Sequence, residues 1–186
     1  MSDTLGVKGW LIKKAIQSKI YNYNKGKGLT HFAYDNMIFN RMKPVLGGRV
    51  RMMITGSAPI PHEVLDFLKV CFCVPIIEGY GLTESCGIST STALTDAHSG
   101  HVGGPLQCVK VRLRDLPDMD YTIRSVPPKG EICFFGSSVS TGYFKNWEQT
   151  SEMMHNGWLL SGDVAQINPN GSIQIIDRVT SLFKLK

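Results

Sequence analysis

The sequence EGYGLTES occupies positions 78–85 and directly follows a short apolar run, VPII at 74–77, that is typical of a buried strand in a parallel sheet. Its glycines allow a tight turn and a close approach of the backbone to a ligand. Tyr80 offers a ring for stacking, Thr83 a hydroxyl, and Glu84 a carboxylate of the kind that holds Mg²⁺ beside phosphates. Open α/β sheets bind ligands where their strands end, so the stretch indicates a nucleotide site. An ordinary strand-to-helix turn is the alternative interpretation.

A second small-residue turn precedes this stretch. The sequence RVRMMI at 49–54 predicts a strand, and the turn GSAP at 56–59 follows it. Pro61 suits the first turn of a helix. The apolar stripe of that helix comprises Val64, Leu65, Leu68, Cys71 and Phe72.

Strand, helix and strand of these lengths predict a βαβ crossover. Such a unit places Gly56, Ser57 and Ala58 at the same sheet edge as Gly79 and Tyr80. We therefore expect both turns to face one cleft, with room for a planar base between them.

Two helices are predicted before the crossover. The first spans 4–24, although Lys8 and Lys19 interrupt its apolar face. The second is capped by Thr30, carries Tyr34, Ile38 and Met42 at four-residue spacing, and stops at Pro44. The apolar face of the first helix comprises Leu5, Ile12, Ile16, Ile20 and Tyr23.

Beyond residue 104 the pattern changes to short strands and turns, which predicts a smaller antiparallel, barrel-like β module. The sequence NPNG at 168–171 is a strong hairpin turn, and a short helix is expected at 147–154. The predicted fold class is therefore α/β, a parallel βαβ portion followed by this β module. Its strands are expected at Val109–Leu113, Gly130–Gly136, Val164–Ile167 and Ser172–Ile176.

Asp163 and Arg178 are two further candidate polar residues, placed after a glycine and at the end of the final hairpin. A carboxylate is the usual partner of ribose hydroxyls, and an arginine beside it suits ribose or phosphate. Taken singly, a turn aspartate and a surface arginine are the simpler interpretation.

Composition narrows the class of protein. The chain has 186 residues, 42% of them apolar, and no apolar run approaches the ~20 residues of a membrane span. Five cysteines without CxxC spacing favour a reduced intracellular compartment over a disulfide framework or a zinc site. The start of the chain lacks the pattern of a signal peptide.

Charge is uneven along the chain, with a net +8 over residues 1–51 within an overall +5. Such a basic segment suits phosphate, nucleic acid or an anionic membrane, and a solvated surface is the plainer alternative.

Read in order, these motifs resemble the central series of the adenylate-forming (acyl-activating) superfamily. The series is GSAP at 56–59, GYGLTE at 79–84, GEI at 130–132 with GY at 142–143, Trp158 through Asp163, and Asp177-Arg178. The phrases LGGRVR at 46–51, GHVG at 100–103 and IIDR at 175–178 are similar to those of the long-chain fatty acyl-CoA synthetases.

The resemblance implies a role for each matching residue. Gly56, Ser57 and Ala58 form a backbone wall beside the adenine, while Tyr80 stacks on the base. Further roles are implied for these residues: Glu78, Gly79 and Gly81 in the segment that reads the adenine edge, Thr83 as a phosphate contact, Glu84 as the Mg²⁺ carboxylate, and Asp163 and Arg178 at the ribose.

The resemblance further implies a fragment of the large N-terminal domain of a long-chain fatty acid–CoA ligase that uses ATP, Mg²⁺ and coenzyme A, with no nucleic-acid partner. An α/β adenine-binding portion is expected at 1–104, the β module at 105–176 and a hinge at 177–186. The location is expected to be cytoplasmic or peripheral to an organelle membrane. The phosphate-loop lysine and the adenylation lysine of the family have no counterpart in the sequence, so the chain alone is expected to be inactive.

Three other functions are kept as alternatives. They are a non-catalytic nucleotide- or acyl-binding module, another acyl-activating enzyme such as an aryl-CoA ligase, and a dinucleotide-dependent dehydrogenase. The absence of a GxGxxG pattern after the first strand argues against the dehydrogenase.

Overall fold

A computed structural model describes residues 6–179 as two compact units. The first holds the chain up to Ile77 together with Ala93–Gly100, and the second holds Glu78–Thr92 and the chain from His101 onward. The described residues contain helices and two sheets, which confirms the predicted mixed α/β class.

Helix α1, Gly6–Asn24, opens the first unit and agrees with the predicted first helix. It buries Ala15, Lys19 and Tyr23. Lys19, one of the two lysines that interrupt the apolar stripe, is therefore inside the unit, where its ammonium lies 2.5 Å from the carboxylate of Asp35.

The second predicted helix is shorter than expected and has a different cap. Helix α2 spans Phe32–Met37, and two short 3₁₀ turns at Phe39–Arg41 and Lys43–Leu46 follow it. His31, not Thr30, is the N-cap, because its side chain accepts a hydrogen bond from the Tyr34 N–H. The four-residue spacing of the apolar residues indicated one continuous helix, but the backbone forms the two 3₁₀ turns after α2 instead.

The βαβ segment comprises strand β1, Met53–Thr55, helix α3, His62–Phe72, and strand β2, Ile76–Tyr80. The Met53 N–H donates to the Pro75 carbonyl at 3.0 Å. Strand β1 is shorter than predicted, and β2 ends three residues beyond its predicted end. Two details of α3 also differ from the prediction: Pro61 is its N-cap rather than a residue of its first turn, and Val64 is 45% exposed.

The segment Ala93–Gly100 belongs to the first unit through polar contacts with α3. Ser99 donates to the Asp66 carboxylate at 2.6 Å and accepts from the Lys69 ammonium at 2.9 Å. These bonds explain why an aspartate and a lysine lie on the buried face of α3.

The second unit begins with the end of β2, which pairs antiparallel with strand β3, Thr90–Ser91; β3 in turn pairs with β4, Gly104–Pro105. The sequence predicted no strand here, because short Ser- and Gly-rich strands lack apolar alternation. Gly103 has φ +72°, and a Cβ there would lie 1.9 Å from the Ser91 carbonyl oxygen, so only glycine fits.

The larger sheet of this unit is antiparallel, as predicted, and follows the order β5-β6-β8-β7, with β9 also paired to β8. Helix α4, Trp147–Met153, matches the expected short helix. The buried core comprises Ile132, Phe134, Leu159, Ala165 and Ile173. The strands are β5 Val109–Arg114, β6 Lys129–Gly136, β7 Met154–His155, β8 Trp158–Ile167 and β9 Ile173–Arg178.

The turn between β8 and β9 agrees with the predicted hairpin, since the Gly171 N–H donates to the Asn168 carbonyl at 2.8 Å. Strand β8 starts six residues earlier than expected, so Asp163 lies within a strand rather than in a turn. The predicted hinge at 177–186 lies outside the described residues from Thr180 onward.

Candidate nucleotide-binding site

Tyr80, at the end of β2, and Asp163, in β8, meet inside the second unit. The Tyr80 hydroxyl donates to Asp163 Oδ2 at 2.7 Å, and the tyrosine ring lies 6.0 Å from the ring of Phe134. This contact joins residues 83 positions apart in the sequence. The site therefore has a tyrosine ring held at one edge by a hydrogen bond and packed against the apolar core.

Arg178 completes the cluster from the neighbouring strand β9. Its register places it opposite Asp163, and its Nε donates to Asp163 Oδ1 at 2.9 Å. The side chain of Asp163 is 7% exposed, while the side chain of Arg178 is 67% exposed. The arginine thus covers the aspartate from the solvent side, and the predicted ribose pair is brought together.

The electrostatics of the cluster favour a neutral tyrosine beside the Asp163 carboxylate. Burial raises the pKa of Tyr80, and its hydrogen bond to Asp163 raises it further. The same carboxylate raises the pKa of Arg178 through its hydrogen bond and charge. A carboxylate has about four lone-pair sites. Two of them are used by Tyr80 and Arg178, which leaves capacity for the hydroxyls of a ribose.

Glu84 lies in a single 3₁₀ turn, Thr83–Ser85, just after β2. Its Oε1 accepts a hydrogen bond from the Tyr143 hydroxyl at 2.5 Å, and its backbone carbonyl accepts from the Ser140 N–H. The hydrogen bond from Tyr143 to Glu84 raises the pKa of Tyr143. Thr83 is exposed beside it. The carboxylate is therefore oriented by a neighbouring loop while remaining reachable from solvent.

Glu78, Gly79 and Tyr80 lie within β2, which corrects the expectation that the turn begins at the first glycine. Glu78 is fixed there because its N–H donates to the Thr92 hydroxyl at 2.9 Å. Gly81 is needed for a close approach, but to the protein itself: a Cβ would lie 1.8 Å from the Gly87 carbonyl oxygen. The glycine therefore shapes the turn that carries Thr83 and Glu84.

Gly56, Ser57 and Ala58 follow β1 in the first unit and are exposed. Ser57 has φ +68°, a left-handed conformation that costs a residue with a side chain about 1 kcal/mol or more. Such strain in a turn proposed to line a ligand is a pattern seen at functional sites. The single cleft shared by this turn and Gly79–Tyr80 stays a prediction.

A magnesium ion fits the chemistry of Glu84 as one ligand of several. Mg²⁺ is usually held by one or two carboxylates, with substrate phosphates and water completing its shell. Over residues 6–179, the structure has no cluster of three or more histidine, cysteine or acidic side chains arranged for a metal. An oriented carboxylate such as that of Glu84 can serve as one such ligand.

Sequence reasoning assigned no role to two residues that support the site. Tyr143 entered only as part of a motif, although it contacts Glu84. Ser161 accepts a hydrogen bond from the Asp163 N–H at 3.0 Å. The spacing of Gly142-Tyr143 was visible in the sequence, but no local pattern links it to a residue 59 positions away.

Comparison with known families excludes one of the alternatives. The profile of the AMP-binding family, described as AMP-binding enzyme, matches residues 12–144. The chain belongs to the AMP-binding enzyme family. This assignment confirms the adenylate-forming resemblance drawn from the ordered motifs, and it removes the dehydrogenase alternative.

Curated members of this AMP-binding family are similar over nearly the whole chain. A probable CoA ligase from Humulus lupulus is 40% identical over 185 residues, which cover 95% of this chain and 28% of that protein. Fatty acyl-CoA synthetase A from Dictyostelium discoideum is 41% identical, with 85% and 24% covered. Long-chain-fatty-acid–CoA ligase 5 from Mus musculus is 40% identical, with 96% and 26% covered. The chain thus spans about a quarter of the length of these relatives.

Solved structures of AMP-binding enzymes share the fold. A fatty acyl CoA synthetase from Mycobacterium tuberculosis has a TM-score of 0.58 and 29% identity, covering 70% of this chain and 25% of that one. MatB from Rhodopseudomonas palustris has a TM-score of 0.62 and 28% identity, covering 73% and 27%. The described units are therefore a portion of an adenylate-forming enzyme fold.

Proposed function

We propose that this chain carries the adenine, ribose and part of the magnesium site of an ATP-dependent long-chain fatty acid–CoA ligase. The observation that carries the proposal is Asp163, a buried carboxylate bonded to both Tyr80 and Arg178 in a member of the AMP-binding family. The long-chain substrate is inferred from the names of the similar proteins.

In this proposal the second unit binds the nucleoside. Tyr80 stacks on the adenine, Asp163 accepts the ribose hydroxyls, and Arg178 holds that carboxylate and contacts the ribose. The backbone of Glu78, Gly79 and Gly81 lies along the edge of the base. Gly56, Ser57 and Ala58 are kept as candidate adenine-binding residues.

Thr83 and Glu84 are proposed to act at the phosphates. The Thr83 hydroxyl contacts phosphate oxygens, and Glu84 is the single carboxylate offered to Mg²⁺, kept in place by Tyr143. When bound, the ion neutralises phosphate charge as pyrophosphate leaves. The proposed reaction joins a fatty carboxylate to the α-phosphate of ATP and then passes the acyl group to the thiol of CoA.

The test is turnover by the longest polypeptide that contains this segment, with the 186-residue chain measured beside it. ATP, Mg²⁺, palmitate and CoA are supplied, and AMP and thioester are both quantified. We expect the longer protein to form both products and the 186-residue chain to form neither, since no lysine here matches a family motif that faces the phosphates and preorganised cations contribute several kcal/mol each.

The result also separates the alternatives. Nucleotide binding by the longer protein without either product would establish the non-catalytic module instead. Turnover with benzoate-type acids but not palmitate would establish an aryl-CoA ligase. Turnover by the 186-residue chain that is lost in Glu84→Ala would show that the chemistry needs fewer groups than proposed.

We further propose that the protein is intracellular and that it contacts a membrane peripherally through α1. No helix among the described residues is long and apolar enough to cross a bilayer. Trp10 and Tyr21 are 60% and 59% exposed, and the spacing from one to the other places them on one helix face. Lys14 lies 4.9 Å from the Trp10 ring and Lys25 5.0 Å from the Tyr21 ring, so aromatic and cationic groups alternate. This pattern suits an anionic lipid surface.

The membrane proposal predicts that the chain sediments with phosphatidylserine-containing vesicles and not with pure phosphatidylcholine vesicles. We expect Trp10→Ala with Tyr21→Ala to lower binding at least several-fold, because amphipathic rings anchor helices in the interface. Trp147→Ala is the control, since that ring is also exposed, at 82%, but lies on α4. Equal loss of binding in the control, or binding that added salt leaves unchanged, would contradict a specific role for α1.

A further inference from the structure

Cys73 has an unusual backbone conformation at the end of helix α3. It is the C-cap residue with φ +55°, in the left-handed region where helices commonly end with glycine. A residue with a Cβ is strained there. Residues with backbone strain of this kind cluster at functional sites.

The thiol of Cys73 lies inside a polar cluster. The Lys19 ammonium donates to Cys73 Sγ at 3.0 Å, and the thiol lies 3.5 Å from Asp35 Oδ1. The Cys73 thiol donates to that carboxylate, and burial raises the pKa of the thiol. Sulfur, amine and carboxylate are therefore in mutual contact within the first unit.

Small reagents have a route to this thiol. Cys73 is partly exposed and is one of the residues lining a cavity of about 290 Å³, together with Phe72 and Val74. Lys43 and Arg51 also line this cavity. A cavity of this volume holds many water-sized molecules, so hydrogen peroxide fits.

We propose that Cys73 and Lys19 form a reversible covalent sulfur–nitrogen link when the protein is exposed to peroxide. The modification is independent of the ligase function and needs no nucleotide. It depends on the direct contact between Lys19 Nζ and Cys73 Sγ, which leaves no atom between the two groups that must bond.

The chemistry proceeds in two balanced steps. Peroxide first transfers one oxygen to Cys73 Sγ, which gives a sulfenic acid and one water; sulfur loses two electrons and the peroxide bond gains them. Lys19 then gives one proton of its ammonium to the sulfenic oxygen, and the resulting amine attacks Sγ as the S–O bond breaks and water leaves. The second amine proton passes to Asp35, and a sulfenamide remains. Two equivalents of a small thiol reverse the link and leave as a disulfide.

The link would tie helix α1 to the end of helix α3, across 54 positions of sequence. Closing a long loop restricts the unfolded chain, as a disulfide does. Because thiols reverse the link, the stability of the first unit would depend on redox conditions.

The experiment is mass spectrometry of the 186-residue chain after brief peroxide treatment, followed by alkylation and trypsin. We expect one linked peptide pair joining Lys19 to Cys73, two hydrogens lighter than the sum of its free peptides, with cleavage lost after Lys19. Dithiothreitol should remove it. The exposed thiols of Cys86 and Cys108 are internal controls, expected to oxidise without linking to any lysine.

Two variants keep the result interpretable. Lys19→Arg retains the positive charge but lacks a nucleophilic amine, and Cys73→Ser retains a small hydrogen-bonding group; neither should give the linked pair. Wild-type protein in which Cys73 is recovered unmodified, or only as its oxygen acids, while Cys86 is oxidised, would overturn the proposal.

Discussion

Replacing Lys19 by methionine is expected to lower the free energy of unfolding by about 3–5 kcal/mol, because it leaves a buried carboxylate without its cation. Lys19 and Asp35 are 2% and 8% exposed, and their charged atoms lie 2.5 Å apart. The ammonium also donates to the Val70 carbonyl at 2.9 Å, so one substitution removes a hydrogen bond from each of two acceptors. Urea unfolding followed by circular dichroism measures the change.

Lys13→Met is the matched control, since Lys13 is an exposed lysine of the same helix. We expect it to change the stability by less than about 0.5 kcal/mol. The double variant Lys19→Met with Asp35→Leu should recover much of the loss, because a buried pair replaced by apolar groups is often neutral. A loss below about 1 kcal/mol in Lys19→Met would contradict the assignment of Lys19 as a structural cation.

The same pair predicts a pH dependence of stability. Burial alone would raise the pKa of Asp35, but hydrogen bonds from Lys19 and the His31 N–H, together with the lysine charge, lower it below 3.8. A carboxylate with a lowered folded pKa contributes stability above its ordinary pKa and loses it as the pH falls through the folded value. Acid unfolding should therefore steepen below pH 3.8, and Asp35→Asn should remove that part of the dependence.

Asp163→Ala, made in the longest polypeptide that contains this segment, is expected to raise the KM for ATP strongly. The change removes the proposed ribose acceptor and the shared partner of Tyr80 and Arg178. Each polar group left unpaired costs about 1–3 kcal/mol, which corresponds to roughly 5–150-fold in affinity. Initial rates measured over a range of ATP concentrations give the KM.

Two substitutions of Tyr80 separate stacking from hydrogen bonding. Tyr80→Ala should weaken ATP use by about 1–3 kcal/mol through loss of the stacking surface. Tyr80→Phe keeps the ring and loses only the bond to Asp163, so its effect should be smaller. A KM for ATP that is unchanged in both Asp163→Ala and Tyr80→Ala would refute the nucleoside site.

Local sequence pattern was sufficient for the elements whose apolar spacing is strong. Helix α1, helix α4, the βαβ segment and the hairpin at 168–171 agree with it, because each is organised by residues a few positions apart. The element ends were less accurate. The second helix stops after α2, and β8 begins at Trp158, since hydrogen bonds to other strands extend a strand beyond its apolar core.

Family membership and the identity of the candidate residues were also determined by the sequence alone. The motif order from Gly56 to Arg178 identified the adenylate-forming family, which the matched profile confirms. The residues that form a turn are close together in the chain, so glycines, hydroxyls and acids at fixed spacing can be recognised in the sequence alone.

Only the tertiary structure decided how polar residues are paired. The contact from Tyr80 to Asp163 spans 83 positions, that from Tyr143 to Glu84 spans 59, and that from Lys19 to Cys73 spans 54. Lys19 broke the apolar pattern of its helix in the sequence, yet it is one of the most buried side chains described. A buried charge is stable only where another element supplies the opposite charge, and that supply depends on packing between segments distant in the chain.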